Sequence, residues 1–176
     1  MIEIRIINKD NKKDINIKNE PFCVYGELLP YYKDKKWGYD VVKYDENNIK
    51  EDIFPDENYD FENMNDCEFI GAYDDGKCVG LAIMKEALFK YMYLYDIKVN
   101  KDCRKNGTGS LLIGKCCEIA KNRGYKGVYT IAQNNNLQAC LFYIKCGFYI
   151  GGFDTNVYKF TKQEDKSDIY FYKDLT

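Results

Sequence analysis

A basic turn with two glycines lies where the sequence changes from a strand pattern to a helix pattern. Segment 104–109 reads Arg-Lys-Asn-Gly-Thr-Gly and follows the β-rich run Tyr91–Val99. A helix N-terminus leaves several backbone N–H groups unpaired and carries partial positive charge, and a pyrophosphate satisfies both. Gly107 and Gly109 would let the backbone approach phosphate oxygens closely. The segment therefore predicts a pyrophosphate-binding turn, with a purely structural turn as the alternative.

The turn lacks the features of two well-known phosphate-binding fingerprints. No Lys-Ser or Lys-Thr pair follows its second glycine, which excludes a P-loop. Its glycine spacing is too short for a dinucleotide-binding fingerprint, and no acidic residue ends the next strand. The predicted ligand is therefore a pyrophosphate of another kind.

The elements around the turn alternate between strands and helices. Tyr91–Val99 is rich in β-forming residues, and Gly107–Arg123 has an apolar stripe with helical spacing that Gly124 ends. Lys126–Ala132 predicts a strand, and Asn136–Cys146 predicts a second amphipathic helix. This order predicts an α/β fold of the α+β type, with a mixed, mostly antiparallel sheet flanked by helices.

Further strands are predicted on both sides of this region. The alternating run Ile2–Ile7 predicts an edge strand, and Asp74-Asp75-Gly76 predicts the turn of a hairpin over residues 68–85. Phe148–Phe160 and Asp168–Tyr172 predict a final antiparallel pair.

The segment between the first strand and the hairpin has a weaker pattern. Pro21–Tyr32 is mixed and is expected to end at Pro30, and Trp37–Tyr44 predicts an extended piece. Residues 45–66 are polar and acidic, and we expect a loop there with a short helix near Ile49–Phe54.

Length and composition exclude several classes of protein. The 176 residues suit one domain, and a formal net charge of −2 argues against a general nucleic-acid binder. The start has no signal-peptide core, and no apolar run reaches membrane-spanning length. The eight Cys form no small-domain disulfide framework, and Cys78, Cys116, Cys117 and Cys140 fall inside apolar runs. We therefore expect a reduced, cytoplasmic protein. Without His or a CxxC pair, we expect no metal site, and a Cys–His nucleophile is excluded.

Charge is distributed unevenly along the chain. The acidic residues between Asp45 and Glu68 are opposed only by Lys50, whereas residues 98–126 are rich in Lys and Arg. This asymmetry predicts a cationic ligand on the acidic side and an anionic ligand on the basic side. Solvated loop charge accounts for the acidic segment equally well.

Two ordered motifs resemble those of the GNAT family of N-acetyltransferases. In that family Arg/Gln-x-x-Gly-x-Gly/Ala follows a strand ending in Val by about five residues, and Val99 and Arg104 have that spacing. The family's second element is matched by Asn136, Ala139, Phe142-Tyr143 and Gly147-Phe148. The resemblance covers about residues 67–175. It implies the GNAT acyl-CoA N-acyltransferase fold, with acetyl-CoA as co-substrate and no metal.

A narrower resemblance is to the streptothricin (nourseothricin) acetyltransferase group of that family. It extends to almost the whole chain outside residues 45–66, and the matching segments are 21–26, 29–32, Trp37, 133–140, 152–155 and Tyr158. The group usually has a Glu-Asp pair in the strand before the turn, where this chain has Tyr95-Asp96. One of the two candidate bases is therefore missing.

The resemblance implies roles for the matched residues. A primary amine has a pKa of about 10 and must lose a proton before it attacks a thioester. Asp96 would accept that proton, Tyr143 would protonate the departing thiolate, and a backbone N–H near Val99 would stabilise the oxyanion. The residues expected to bind the cofactor are Ile97, Lys98, Val99, Arg104, Lys105, Asn106, Gly107, Thr108, Gly109, Ser110, Asn136, Ala139 and Tyr143. Those expected to bind the acceptor are Trp37, Tyr95, Asp96, Gln133, Asp154 and Tyr158.

The expected protein is one N-acetyltransferase domain over residues 1–176. Residues 1–66 would form an acceptor-side part and residues 67–175 the acetyl-CoA-binding core. The expected acceptor is a primary amine of a cationic small molecule, above all streptothricin, as in antibiotic resistance. We expect no nucleic-acid or membrane partner, and a monomer or homodimer.

Both the acceptor and the roles of the candidate residues have alternatives. The acceptor could be a polyamine, an amino acid or a protein N-terminus, or the chain could be a non-catalytic acyl-CoA-binding module. Tyr143 could be a plain core aromatic and Asp96 a carboxylate with only a pairing role.

Overall fold

The computed structural model describes residues 1–175, which form two compact units. Unit 1 comprises residues 1–20, residues 54–128 and the last residues from Asp174, and unit 2 comprises residues 21–53 and 129–173. The strands are β1 (Glu3–Ile6), β2 (Phe22–Val24), β3 (Gly26–Lys33), β4 (Lys36–Lys43), β5 (Lys50–Asp52), β6 (Cys67–Asp74), β7 (Lys77–Lys85), β8 (Tyr91–Val99), β9 (Gly127–Gln133), β10 (Tyr149–Asp154) and β11 (Asp168–Asp174). The α-helices are α1 (Thr108–Asn122) and α2 (Leu137–Lys145). Short 3-10 helices cover Lys9–Asn16, Glu46–Asn48 and Lys101–Cys103.

Unit 1 contains four antiparallel strands in the order β1, β6, β7, β8. The predicted edge strand near the N-terminus is confirmed as β1, and the predicted hairpin is confirmed as β6–β7. Asp75 and Gly76, its two loop residues, have φ of 47° and 80°. Positive φ at both positions is the requirement of a tight hairpin turn that matches the twist of its strands.

A β-bulge in β8 changes the direction of the side chains that follow it. Leu94 pairs with Met84 and Asp96 pairs with Ile83, so Tyr95 is the extra residue. Residues directly opposite each other in a ladder share a face, and Met84 and Ile83 lie on opposite faces. The bulge therefore turns Asp96 to the face opposite that of Leu94, although the two are separated by only one residue.

Both faces of the unit 1 sheet are covered. On one face, Ile7, Ile15, Phe69, Leu81 and Ile83 form a buried cluster, against which Ile17, Tyr59, Phe61, Met64 and Cys67 pack. On the other face, α1 buries Leu112 completely, and a Cβ at Gly80 would lie 3.3 Å from a Leu112 methyl group. Because α1 occupies one face, segment 54–66 meets the face that carries Asp96.

Unit 2 contains the β3–β4 hairpin, the short β2–β5 pair, and the neighbouring strands β9, β11 and β10. Helix α2 is followed by a turn at Gly147, whose φ is 84°, and the next residue, Phe148, is buried. The observed elements confirm the predicted α/β class with a mostly antiparallel arrangement of strands.

Three sequence-based boundaries are wrong. Strand β3 continues past Pro30, which is tolerated because each strand of a two-stranded ribbon is an edge strand. The short helix expected at Ile49–Phe54 is instead a 3-10 turn followed by β5, since Lys50–Asp52 pairs with β2. The strand expected to reach Phe160 ends at Asp154, because the Asp154 carboxylate accepts the N–H groups of the next turn.

Residues 1–175 contain no helix with the length and apolar character needed to cross a bilayer. The same residues contain no group of three or more His, Cys, Asp or Glu arranged to hold a metal ion.

Candidate functional site

The predicted pyrophosphate turn lies in unit 1 between β8 and α1. Lys105 and Gly107 have φ of 64° and 87°, so the chain enters the helix through two left-handed positions. A Cβ at Gly107 would meet no atom within 4 Å. Glycine is therefore required at position 107 by backbone conformation, and the space beside it is open.

The start of α1 fits an anionic ligand. The helix begins after Gly107, which has no side chain to cap it, and its first bond runs from the Leu111 N–H to the Gly107 carbonyl, 3.0 Å apart. The Thr108 side chain is buried, and its hydroxyl has no hydrogen-bond partner among the described residues. An uncapped helix start with an unpaired buried hydroxyl can accept negatively charged oxygens.

The arginine of the turn is held by the end of the strand. Arg104 Nε donates to the Val99 carbonyl at 2.8 Å, and its guanidinium lies 3.7 Å from Glu20. Glu20 also accepts the Lys101 N–H. These contacts hold the residues that follow β8, whereas Lys105 and Asn106 are exposed.

Asp96 lies in a polar cluster that we call the Asp96 cluster: Asp96, Lys98, Glu57 and Tyr59. Asp96 Oδ2 accepts a hydrogen bond from the Tyr59 hydroxyl at 3.0 Å and lies 3.2 Å from Lys98 Nζ. The same Nζ donates to Glu57 Oε2 at 2.8 Å. The Lys98 and Asp96 side chains are only 10% and 19% exposed. The Lys98 ammonium therefore contacts the carboxylates of both Asp96 and Glu57.

Burial raises the pKa of Asp96, and the Glu57 carboxylate raises that pKa further. The Lys98 ammonium and the Tyr59 hydroxyl act in the opposite direction. The pKa of Tyr59 is raised well above its usual range, by burial and by the two carboxylates, so its hydroxyl keeps its proton. A carboxylate with a raised pKa in such a setting is suited to accept a proton.

Tyr95, the bulge residue, contributes an aromatic surface at the position where the resemblance described above leads us to expect a carboxylate. Its ring is 43% exposed and meets the Tyr59 and Tyr93 rings edge-on, with centroids 6.2 and 5.7 Å away. Lys85 Nζ lies 5.7 Å from its centroid. Aromatic faces attract cations, so this position remains compatible with a cationic ligand.

In unit 2, the candidate residues of α2 are held by a cap and by packing. Asn136 accepts the Ala139 N–H at 3.2 Å through its side chain, so it caps the start of α2. Tyr143 is 6% exposed, and its ring packs on Phe148 and Phe171 with centroids 5.6 and 5.5 Å away. Its ring is therefore fixed within an aromatic core.

Gln133 and Tyr158 lie together in unit 2. Gln133 Nε2 donates to the Tyr158 hydroxyl at 2.9 Å, and that hydroxyl donates to Asp168 Oδ1 at 2.8 Å. Gln133 Oε1 is buried without a hydrogen-bond partner among residues 1–175. Burial raises the pKa of Asp168, and it raises the pKa of Tyr158 to about 12. An unpaired buried acceptor beside a carboxylate suits an N–H donor.

Two other acceptor candidates have local structural roles. Trp37 lies near the tip of the β3–β4 hairpin, where its ring packs on Tyr32 with centroids 5.1 Å apart. Asp154 Oδ1 accepts the N–H groups of Asn156 and Val157 at 2.8 and 3.1 Å.

Many carboxylates of the acidic stretch 45–68 form hydrogen bonds or ion pairs with other residues of the protein. Glu57 pairs with Lys98, Asp52 with Lys166, and Glu62 with Lys12. Other carboxylates of the stretch that make hydrogen bonds or ion pairs are Asp56, Asp60, Asp66 and Glu68. Much of this negative charge therefore stabilises the fold, which weakens its role as a general cation-attracting surface.

Comparison with known proteins identifies the family. Residues 31–148 match the model of the family described as "Acetyltransferase (GNAT) family". The chain belongs to the GNAT family of acetyltransferases. The predicted family, fold and enzyme class are thereby confirmed.

Two comparisons place this GNAT chain beside streptothricin acetyltransferases. Streptothricin acetyltransferase A of Bacillus subtilis (strain 168) is 32% identical over 165 residues, which cover 92% of this chain and 94% of the relative. A Bacillus anthracis structure assigned as a streptothricin acetyltransferase, in complex with acetyl coenzyme A, has a TM-score of 0.89 at 28% identity and covers 99% of this chain and 100% of its own. The narrower resemblance seen in the sequence is confirmed.

A solved nourseothricin acetyltransferase supports the fold. Its TM-score is 0.81 at 22% identity, with 99% of each chain covered.

Sequence reasoning missed three residues of this GNAT chain that contact the candidate side chains. Glu57 and Tyr59 lie in the segment predicted to be an acidic loop, and no local motif marks them. Asp168 begins β11 and bonds to Tyr158. The only signal for Asp168 was a carboxylate at the start of a predicted strand.

Proposed function

We propose that this protein transfers the acetyl group of acetyl-CoA to a primary amine of streptothricin. The proposal of streptothricin as the acceptor rests on the extent of similarity. A Bacillus subtilis streptothricin acetyltransferase aligns with 92% of this chain, including most of the acceptor-side part. The Bacillus anthracis structure with bound acetyl coenzyme A supports the donor.

Coenzyme A would be held by the turn before α1 and by neighbouring backbone. The uncapped start of α1 and the open space at Gly107 suit the pyrophosphate, and Lys105 adds positive charge. The backbone of Ile97 and Val99 would pair with the pantetheine arm as an added strand does. Asn136 and Ala139 would contact the same arm.

Proton transfer would involve Asp96, which belongs to unit 1, and Tyr143, which belongs to unit 2. Asp96 takes the proton from the acceptor ammonium, which then attacks the thioester carbonyl as a neutral amine. Tyr143 supplies a proton to the departing thiolate, and the second proton that the attacking nitrogen loses as the amide forms restores the Tyr143 hydroxyl by way of solvent. The raised pKa of Asp96 supports the first role, and the fixed ring of Tyr143 supports the second.

The acceptor would be recognised by polar and aromatic side chains. Tyr95 offers an exposed aromatic face, and Gln133 offers an unpaired oxygen beside Tyr158. Trp37 and Asp154 are weaker candidates, because Trp37 packs on Tyr32 and Asp154 caps a turn.

Release of free coenzyme A tests the proposal directly. The purified protein is incubated with acetyl-CoA and either streptothricin or a panel of polyamines, amino acids and N-terminal peptides, and a thiol reagent reports the free thiol. We expect the highest kcat/KM with streptothricin. Turnover of another amine without turnover of streptothricin would contradict the proposed acceptor but keep the acetyltransferase.

A second acceptor class is favoured by one observation. The resemblance places Tyr95 where the streptothricin group usually has an acidic residue, so an exposed aromatic face stands in place of a negative charge. A less highly charged amine would suit that change. The same panel separates this class from streptothricin by the ratio of their kcat/KM values.

A further inference from the structure

The proposed chemistry uses one member of the Asp96 cluster, Asp96 itself. Lys98, Glu57 and Tyr59 also belong to the cluster, yet none of them takes the proton from the amine. Two of the three come from segment 54–66, far from β8 in the sequence. Lys98 and Tyr59 contact one carboxylate oxygen of Asp96, and Glu57 contacts Lys98.

The β8 bulge determines which side chains can reach this cluster. Asp96 pairs with Ile83 and Lys98 pairs with Leu81, so both side chains lie on the face of the sheet that carries these two core residues. Tyr59 packs against the same core. Without the bulge, a regular ladder would pair Asp96 with Ala82 and Lys98 with Gly80, which would turn both side chains to the opposite face, away from segment 54–66.

Both contacts made to Asp96 converge on the same oxygen. Lys98 Nζ and the Tyr59 hydroxyl lie 3.2 and 3.0 Å from Oδ2. Among the residues that the structure describes, none donates a hydrogen bond to Oδ1. The carboxylate is therefore held by one oxygen while the other can accept a proton.

Glu57 holds Lys98 in place. Its Oε2 accepts hydrogen bonds from Lys98 Nζ and from Asn19 Nδ2, each at 2.8 Å. An ammonium that is only 10% exposed needs such partners, because burying an unpaired charge is unfavourable. One cation thus lies between two carboxylates, and the Asn19 contact orients the outer one.

We propose that Lys98 is a positioning residue that holds Asp96 ionised and correctly oriented for proton removal, and that Glu57 holds Lys98 there. The inference rests on the proposed role of Asp96 as the base. It assigns a function in the reaction to segment 54–66, which carries no recognisable motif.

The charges that face Asp96 determine the direction in which its pKa should move when one of them is removed. The titratable groups around it are Lys98 on its own strand and Glu57 and Tyr59 on segment 54–66. Lys98 lowers the pKa of Asp96, and Glu57 raises it. Loss of the cation should therefore move the Asp96 titration to higher pH, and loss of the Glu57 charge should move it to lower pH.

The first test is the pH dependence of kcat/KM in three variants. For Lys98→Met, which keeps the aliphatic stem but not the charge, we expect the acidic limb to move up by about one pH unit or more. For Glu57→Gln we expect a movement in the opposite direction, and for Lys98→Arg a midpoint closer to that of the parent. A uniform loss of activity with unmoved midpoints in both charge-removing variants, together with an unmoved Asp96 titration in the second test, would overturn the inference, since it would indicate a merely structural role.

The second test separates this inference from the proposed base. Carboxyl-¹³C-aspartate labelling follows the titration of Asp96 by NMR without any turnover, and Asp96→Asn assigns its signal. Opposite movements in Lys98→Met and Glu57→Gln support the inference, and an unchanged Asp96 titration in both overturns it. If the NMR titration moves but the kinetic limb does not, the contact stands, and the base assignment in the proposed function is contradicted.

Discussion

The two residues proposed to move protons are held by opposite kinds of environment. Asp96 is surrounded by charge, with an ammonium at 3.2 Å and a tyrosine hydroxyl at 3.0 Å. Tyr143 is surrounded by rings, with Phe148 and Phe171 centroids 5.6 and 5.5 Å away. Neighbouring charges set the pKa of Asp96, whereas packing sets the position of the Tyr143 ring. Charge-altering and hydroxyl-removing substitutions should therefore have different signatures at the two residues.

The strongest prediction concerns the charged environment. Asp96→Asn keeps the size of the side chain but cannot accept a proton, so we expect kcat/KM to fall by about 10²–10⁴-fold. Coenzyme A release under saturating acetyl-CoA measures this fall.

Asp75→Asn is the matched control. Asp75 lies in the β6–β7 turn at a φ of 47°, a conformation that Asn tolerates well, so activity and stability should stay near those of the parent. Equal activity of Asp96→Asn and Asp75→Asn would remove Asp96 from the mechanism and leave it a pairing carboxylate.

The packed environment predicts a smaller loss. Tyr143→Phe preserves the ring that packs on Phe148 and Phe171, so the protein should fold normally. We expect kcat to fall by about 10²-fold, at the lower end of the range for acid catalysis, because a thiol with a pKa of about 8.5 leaves readily without protonation. Tyr149→Phe, which removes the hydroxyl of an exposed tyrosine of β10, is the control and should retain parent activity. A parent-like kcat in Tyr143→Phe would favour its being a plain core aromatic.

The same contrast accounts for how much of the site could be predicted from the sequence. The turn before α1 and the Asn136 cap depend on local geometry, so their residue types and spacing identify them. The Asp96 cluster depends on a bulge at Tyr95 and on contacts with Glu57 and Tyr59. A period-2 pattern cannot reveal an extra residue, and polar side chains of a distant loop have no periodicity that would place them on β8.

The fold shows the same division between local and distant causes. The hairpin at Asp75-Gly76 and the ends of α1 and α2 were predicted because glycine at positive φ marks them. The strand at Lys50–Asp52 was missed because only its pairing with β2 makes it a strand. Its own residues are polar and charged, which disfavours a strand in isolation.

The third prediction tests the turn that would hold coenzyme A. Gly107→Ala places a Cβ at a φ of 87°, which costs about 1–2 kcal/mol, so the turn should change conformation. We expect KM for acetyl-CoA to rise several-fold with a smaller change in kcat.

Gly114→Ala provides the comparison within α1. A Cβ at Gly114 also meets no atom within 4 Å, but the residue lies inside the helix, so alanine should stabilise the protein by up to about 1 kcal/mol. KM for acetyl-CoA should stay unchanged there. A KM that rises equally in both variants would mean that α1 as a whole, and not the turn, determines binding.

The smallest predicted effect separates two roles of Asn136, which caps α2 and is expected to contact the coenzyme arm. Asn136→Ala removes the cap and should lower the free energy of unfolding by about 1 kcal/mol, measured by denaturant titration. Asn136→Ser retains an oxygen that can accept the Ala139 N–H, so most of that stability should return. If KM for acetyl-CoA is restored together with stability, Asn136 acts on binding only by ordering the start of α2. If KM remains raised in the stable serine variant, the amide itself contacts the coenzyme, and a residue identified by a local motif has both a structural and a binding role.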